Sequence, residues 1–462
     1  MKAIQDNDRL YNLLSPLVQY ACRCHYSSFV VRGLENLPSD GAYIIAPCHQ
    51  QALMEPLAVL NFAPVAPIFL ARADLFRKPL LRKALTFLKI MPVYRIRDGI
   101  DSLGQNKEIF DRCCDVLTAG HPLCLMAEGR HNNKHRLLPL LKGMFRIAGE
   151  AQERLGDKPL YIVPTGIDFD DYERPYSNLV VNIGHPIAVQ PFMDSYRTDT
   201  PHALNHMRDA LHDALLPLMF DIRSEEHYDS ILTICNAMNR DFRRRQGLKN
   251  NAWNRFRMRQ AIARRLEKET QSADSDEFSR LMALGSELSA LCRQLRLDAA
   301  TLGEHRSAPT LLLVLAALAA ALLAVGLCRP LRLAALFCLL CYPLPLIPTH
   351  LIVRRKVADP QFRSSFNFGV RFLLSLVYAL AIGVVAAATG GLWMSGLADL
   401  GAWWGLVAVA VVVVGAGVSG PCIAFLFRLA SDCRFWLLHI SKPAAMKNID
   451  TIISSISRSL NK

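Results

Sequence analysis

The chain has 462 residues, a length that by ordinary domain sizes corresponds to about three domains. Its 53 Lys and Arg outnumber 40 Asp and Glu, for a net charge of +13. Such a balance suits nucleic acid, an anionic membrane face or phosphorylated substrates, but no aromatics are interleaved with the basic runs and no nucleic-acid module pattern occurs, so nucleic acid is excluded as the expected partner. Hydrophobic residues make up 52% and concentrate after residue 308, which excludes a uniformly soluble chain.

The opening "MKAIQDNDRLYNLL" lacks the charged, apolar and small-residue succession of a signal peptide. Residues 1–195 read as an α/β domain, a central sheet covered by helices. Strand-length apolar runs recur as "SSFVVRG", "AYIIAP", "VAPIFLA", "IMPVYR", "PLCLMAEG", "LYIVPTGI" and "NLVVNIG". Helical stretches separate them, such as 101–119, stopped by Gly120. His49, Arg72, Arg95 and Glu128 fall at predicted strand ends, where open α/β sheets carry their sites.

The strand "AYIIAP" delivers His49 to the start of "QQALMEPLAVL", which reads as helical until Pro56. Glu55 lies six positions beyond His49. One reading is a general base whose ring N–H is received by an acid, triad logic without a serine; the other is a surface histidine beside an unrelated glutamate. No nucleophile elbow accompanies the pair, so a base here would act directly on a substrate hydroxyl. Residues 69–99 are dense in cations, with Arg72, Arg95 and Arg97 near strand ends. Residues 125–148 place Glu128 and Gly129 at another strand end, followed by Arg130 and by Lys142–Gly143 opening a helix. "YIVPTGIDF" (161–169) is a strand with a proline inside. His131 and His135, at i and i+4, are expected to be surface residues, and no metal is expected.

In this order and at these intervals, the four blocks and "LLKG" resemble the glycerolipid acyltransferases, the family of 1-acylglycerol-3-phosphate acyltransferase, over roughly residues 25–190. The resemblance implies that His49 is the base and Glu55 its acid. It further implies that Arg72, Arg95, Arg97, Arg130 and Lys142 bind the acceptor phosphate, while Glu128 and Gly129 shape the acceptor site. The donor would be acyl-CoA or an acylated acyl carrier protein, with no other cofactor. The acceptor would be the lysophospholipid lysophosphatidic acid, giving phosphatidic acid. Glycerol 3-phosphate or another lyso-lipid is the alternative acceptor, and a non-catalytic lipid-binding scaffold or transporter the alternative function. Three departures stand out: five residues rather than four separate His49 from the acid, Cys48 replaces the usual Asn, and Arg130–His131 stands where Thr-Arg is usual.

Residues 196–305 read as a basic helical linker, with "RDFRRRQG" and "NRFRMRQAIARRLEKE". Residues 306–430 read as a four-helix transmembrane region with apolar runs at 308–328, 333–353, 372–394 and 403–427, and 431–462 as an amphipathic cytoplasmic tail. The loop "RRKVADPQFR" is basic and "SGLADLGA" is not, which puts the α/β domain and both termini in the cytoplasm, with membrane lipids as partners and a bacterial inner membrane as the expected site. The 13 cysteines lack the spacing of a disulfide framework or zinc site and read as reduced thiols.

Overall fold

The computed structural model describes residues 4–6, 8–93, 102–130, 132–172, 176–269, 275–327, 346–393 and 401–460. Its N-terminal part is built on one eight-stranded sheet: β1 (Ser28–Arg32), β2 (Ala42–Pro47), β3 (Ile68–Arg72), β4 (Ile90–Val93), β5 (Leu123–Cys124), β6 (Leu160–Phe169), β7 (Asn178–Ile183) and β8 (Ile187–Ala188). The spatial order is β1-β7-β6-β2-β5-β3-β4, with β8 also paired to β6. Strands β6, β2, β5, β3 and β4 are parallel, while β7 and β8 run against β6. The helices are α1 (Arg9–His25), α2 (Met54–Phe62), α3 (Pro79–Phe87), α4 (Ser102–Thr118), α5 (Gly143–Leu155), α6 (Met193–Thr198) and α7 (Thr200–Leu215).

Side-chain alternation in β2 sends Ala42, Ile44 and Ala46 into one buried cluster. There they meet Cys113 and Leu117 of α4, Phe145 and Ile147 of α5, and Leu204, Met207 and Leu211 of α7. Helix α7, drawn from the segment read as linker, thus lays its apolar face into the core of the sheet domain. Ile45 and Cys124 are equally buried on the opposite face. Because the parallel strands share a direction, their carboxyl ends share one edge, and His49, Arg72, Glu128 and Asp168 fall at or near it.

Most predicted strands form as read, but "PLCLMAEG" contributes only Leu123–Cys124, because the chain then turns out of the sheet with Gly129 at φ 63°. Helix α2 does not stop at Pro56. The proline sits in the first turn, where backbone N–H groups have no intrahelical acceptor, so its missing donor costs nothing. Pro164 lies inside β6 where its neighbour changes from β8 to β7; its carbonyl accepts from Gly184 N, and the lost N–H falls in that gap.

The chain divides into two compact units, one of Met1–Cys22, Phe29–Tyr172 and Leu179–Asp221, the other of Arg23–Ser28, Glu173–Asn178 and Ile222–Lys462. The second is helical: α8 (Tyr228–Arg245), α9 (Ala252–Glu269), α10 (Ser275–Leu295), α11 (Ala299–Glu304), α12 (Ala308–Leu327), α13 (Leu346–Lys356), α14 (Pro360–Trp393), α15 (Gly401–Ser441) and α16 (Pro443–Ser459). Helix α8 packs against α9, α10, α11 and α16. Within residues 431–462, read as a tail, 431–441 continue α15 and 443–459 form α16, whose stripe of Met446, Ile449, Ile452 and Ile456 is buried.

Among the described residues one segment, Phe362–Val384 of α14, is long and apolar enough to cross a membrane. Only 17% of its apolar window is buried, whereas the core helix of a soluble protein would be mostly covered. Ala308–Ala324 of α12 is a shorter apolar helix. Residues 328–345, most of the second run read as a span, lie outside the described residues, and the fourth run opens the 41-residue α15.

Candidate active site

The turn after β2 brings the two chemistry-bearing residues together. His49 Nδ1 lies 3.5 Å from Glu55 Oε2, with the His49 side chain 15% exposed and that of Glu55 1%. This is an ion-pair distance rather than a formed hydrogen bond, and such contacts in unliganded sites tighten when substrate arrives. Glu55 Oε1 accepts from Gln50 N at 2.8 Å and from Gln51 N. Glu55 also occupies the first turn of α2, where the helix dipole favours a carboxylate. The turn, with Ala52 at φ 21°, carries the acid back to the histidine despite five intervening residues.

Glu128 fastens the same turn from the neighbouring strand end. Its Oε1 accepts from His49 N at 2.6 Å and its Oε2 from Leu138 N at 2.9 Å. Both oxygens are thus engaged by backbone, so Glu128 shapes the site by holding two loops together. Burial pushes its pKa up to about 8, against the two backbone donors, which pull it down. Gly129 follows at φ 63°, in the left-handed region where a side chain is strained, while a Cβ there would meet only the movable end of the exposed Leu141. Cys48 is buried, with Ile167 N donating to its sulfur at 3.1 Å. Burial raises its thiol well above the usual range, which leaves it an inert structural group rather than a nucleophile.

His135 is not the surface residue its spacing suggested. Residues 132–142 form no helix, and His135 is 3% exposed, its ring packed between Tyr172 and Phe220 at 4.7 and 4.8 Å. Its Nδ1 lies 2.9 Å from the Tyr172 hydroxyl and 3.3 Å from Asp168 Oδ1. The Tyr172 hydroxyl donates to Gln50 Oε1 at 2.7 Å, and Gln51 Nε2 donates to the Tyr172 carbonyl at 2.7 Å. With the phenolic proton on Gln50, the hydrogen on His135 belongs to Nδ1. Asp221 Oδ1 accepts from Leu137 N at 2.8 Å and pins the same loop. A buried polar network therefore grips the His49 turn from the 132–138 loop and from the end of β6. Asp168, Tyr172 and Asp221 carry no motif and gave no sequence signal.

The other described candidates, Arg72, Arg130 and Lys142, stand in three separate segments. Arg72 ends β3 and reaches Asp74 with both arms, Nε at 3.1 Å and Nη2 at 2.5 Å. Arg130 is exposed, two residues from Glu128, and Lys142 is the half-buried N-cap of α5. Arg95, Arg97 and His131 lie outside the described residues.

Residues 28–168 match the family model Acyltransferase, a span that contains His49, Glu55, Glu128 and Gly129. That match spans less than a third of the chain and marks an acyltransferase-like domain within its N-terminal part. Among solved structures, the chain is similar to the crystal structure of the 1-acyl-sn-glycerophosphate (LPA) acyltransferase, PlsC, from Thermotoga maritima, with 18% sequence identity and a TM-score of 0.33 over 45% of this chain and 83% of that one. No curated protein matches the chain.

Proposed function

We propose that the chain is a membrane-bound O-acyltransferase moving a fatty acyl group from an acyl thioester to the hydroxyl of lysophosphatidic acid, giving phosphatidic acid. The observation that carries this reading is the His49–Glu55 pair at the carboxyl edge of the sheet, inside an acyltransferase domain. With Nδ1 turned to Glu55, His49 Nε2 takes the proton of the acceptor hydroxyl as its oxygen attacks the thioester carbonyl. The tetrahedral intermediate collapses, the C–S bond breaks, and the imidazolium returns the proton to the leaving thiolate. Glu55 holds the tautomer and offsets the imidazolium charge, as an acid does in a triad. General-base catalysis of this kind contributes roughly 10²–10⁴-fold. Exposed Arg130, with Arg95 and Arg97, would receive the acceptor phosphate through charge-assisted contacts. Arg72 would contribute only by sharing its Asp74 partner.

A lysophospholipid acceptor lives in the bilayer, and two features support work there. Leu373, Val377, Leu380 and Val384 of α14 are each at least 60% exposed, as are Leu312, Leu313, Leu322 and Leu323 of α12. Bare leucines along such helices suit lipid rather than water. In the sheet domain, α1 and α3 meet through Tyr11 and Phe87 and present Leu13 at 73% and Leu80 at 82% exposure, beside Arg77, Lys78, Arg82 and Lys83. A basic, leucine-studded surface suits an anionic membrane face. The four apolar runs would then be spans, with the catalytic domain and both termini cytoplasmic. The test is to supply membranes containing the chain with lysophosphatidic acid, glycerol 3-phosphate or lysophosphatidylcholine in turn. Phosphatidic acid forming from the first alone fixes the acceptor; a product from another acceptor alone would refute this choice of substrate.

A further inference from the structure

The helical unit contains a cluster of cations that the acyl-transfer chemistry does not use. Arg306 stands two residues before α12, and Arg428 is the first residue after the apolar run 403–427 of α15. Helices α12 and α15 pack together, so the two arginines mark the same end of both apolar stretches. Arg306 spans the face of α15 that holds Arg428: its guanidinium lies over the Phe425 ring at 5.0 Å, and its Nη1 reaches Asp432 Oδ2 at 2.6 Å. Phe425, Arg428 and Asp432 share that face at i, i+3 and i+7.

The acids nearby are already taken. Asp432, 1% exposed, is bound by Arg306, and Glu304 is bound by Arg243 and, at 3.1 Å, by Asn250. Among the described residues Arg428 makes no hydrogen bond or ion pair. Partial burial and the Arg255 charge beside it, with Arg306 adding to both, push its guanidinium below the usual range, against the pull of Glu304 and Asp432. Arg240, donating to the His305 carbonyl at 2.8 Å, belongs to the same cluster and also senses Glu304 and Asp432. The charges acting on Arg240 and Arg428, together with those two groups, are six guanidiniums (Arg240, Arg243, Arg244, Arg255, Arg306 and Arg428) and two carboxylates, Glu304 and Asp432. Like charges are held together at the end of two apolar helices only at a cost, and an anion placed among them removes it. Phosphate is the group that guanidiniums recognise best, through two parallel N–H bonds.

We propose that Arg428, with Arg255 and Arg306, forms a binding site for the phosphate of an anionic lipid headgroup at the end of the paired apolar helices α12 and α15. The proposal rests on the membrane reading given above and is independent of the chemistry at His49. A headgroup there would neutralise the cluster and fix the depth of both helices.

The full chain in an uncharged detergent tests it by thermal midpoint, titrated separately with short-chain phosphatidylglycerol, phosphatidylcholine and inorganic phosphate. Phosphatidylglycerol should raise the midpoint and phosphatidylcholine should not. Arg428→Gln should weaken the response about tenfold, equivalent to about 1.4 kcal/mol, while Arg280→Gln, the same charge change at an exposed position of α10, should leave it intact. An equal response to inorganic phosphate at matched concentration would keep the phosphate site but overturn the lipid as its source. No response to either anion, or an undiminished response in Arg428→Gln, overturns the site. Since the readout requires no turnover, its outcome is separable from that of the acyl-transfer assay.

Discussion

Glu128→Gln tests the account of how the catalytic turn is held. Glutamine fills the same space but offers one acceptor where glutamate offers two. Either His49 N or Leu138 N, now 2.6 and 2.9 Å from the carboxyl oxygens, would face an amide NH2 instead. A partly buried N–H left without its acceptor costs about 1–3 kcal/mol, and the same amount is expected as lost stability in denaturant titration. The larger effect should be kinetic, because the bond in question fixes the backbone of His49, the proposed base. A shift of about 1 Å at a reacting group can cost on the order of 10²-fold in rate. Initial rates across lysophosphatidic acid concentrations should therefore show kcat falling by ~10–100-fold with KM little changed. If KM for the acceptor rises while kcat is kept, Glu128 binds the acceptor directly, and the clasp between the two loops is the wrong explanation.

Three further outcomes are expected. The Glu128 carboxyl has a folded-state pKa raised from 4.5 to about 8, so it favours the folded protein fully below 4.5 and loses that contribution as pH rises through 8; the denaturant midpoint should fall across that window in the wild type and flatten in Glu128→Gln. Tyr172→Phe removes the hydroxyl shared by Gln50 and His135, and should cost about 1–2 kcal/mol of stability and lower kcat more than it raises KM; an unchanged kcat would detach this network from the catalytic turn. Leu373→Arg, at the middle of the Phe362–Val384 segment and 62% exposed, should disfavour insertion by about 2.5–3.5 kcal/mol and shift the chain toward alkali-extractable material; full retention in the membrane would argue that α14 does not span.

What was legible in the sequence follows from how local the causes are. Strand β2 forms over the run "AYIIAP", because a fully buried strand flanked by turn residues is written in six consecutive side chains. The His49–Glu55 pairing was legible too, since the partners lie within one turn and one helix start. Helix α2 was cut short because a proline is a helix breaker in the interior but neutral in the first turn, and the sequence does not state where the helix starts. His135 was misread because its burial depends on Asp168, Tyr172 and Phe220, which are 33, 37 and 85 residues away. Asp221 escaped for the same reason, being a loop anchor contributed from beyond the apparent end of the domain. In the helical unit, basic stretches read as a linker, whereas the pairing of the acids around Arg428 emerges only when α11, α12 and α15 are brought together.

The measurement that bears most directly on the central claim follows free thiol and phosphatidic acid together, in membranes carrying wild-type chain or His49→Ala at equal, folded amounts. Supplied with a palmitoyl thioester and lysophosphatidic acid, the wild type should release thiol and form product in step, and His49→Ala should slow both by about 10²–10⁴-fold. Equal rates for the two chains would contradict the assignment of His49 as the base, and with it the acyltransferase mechanism drawn from this site.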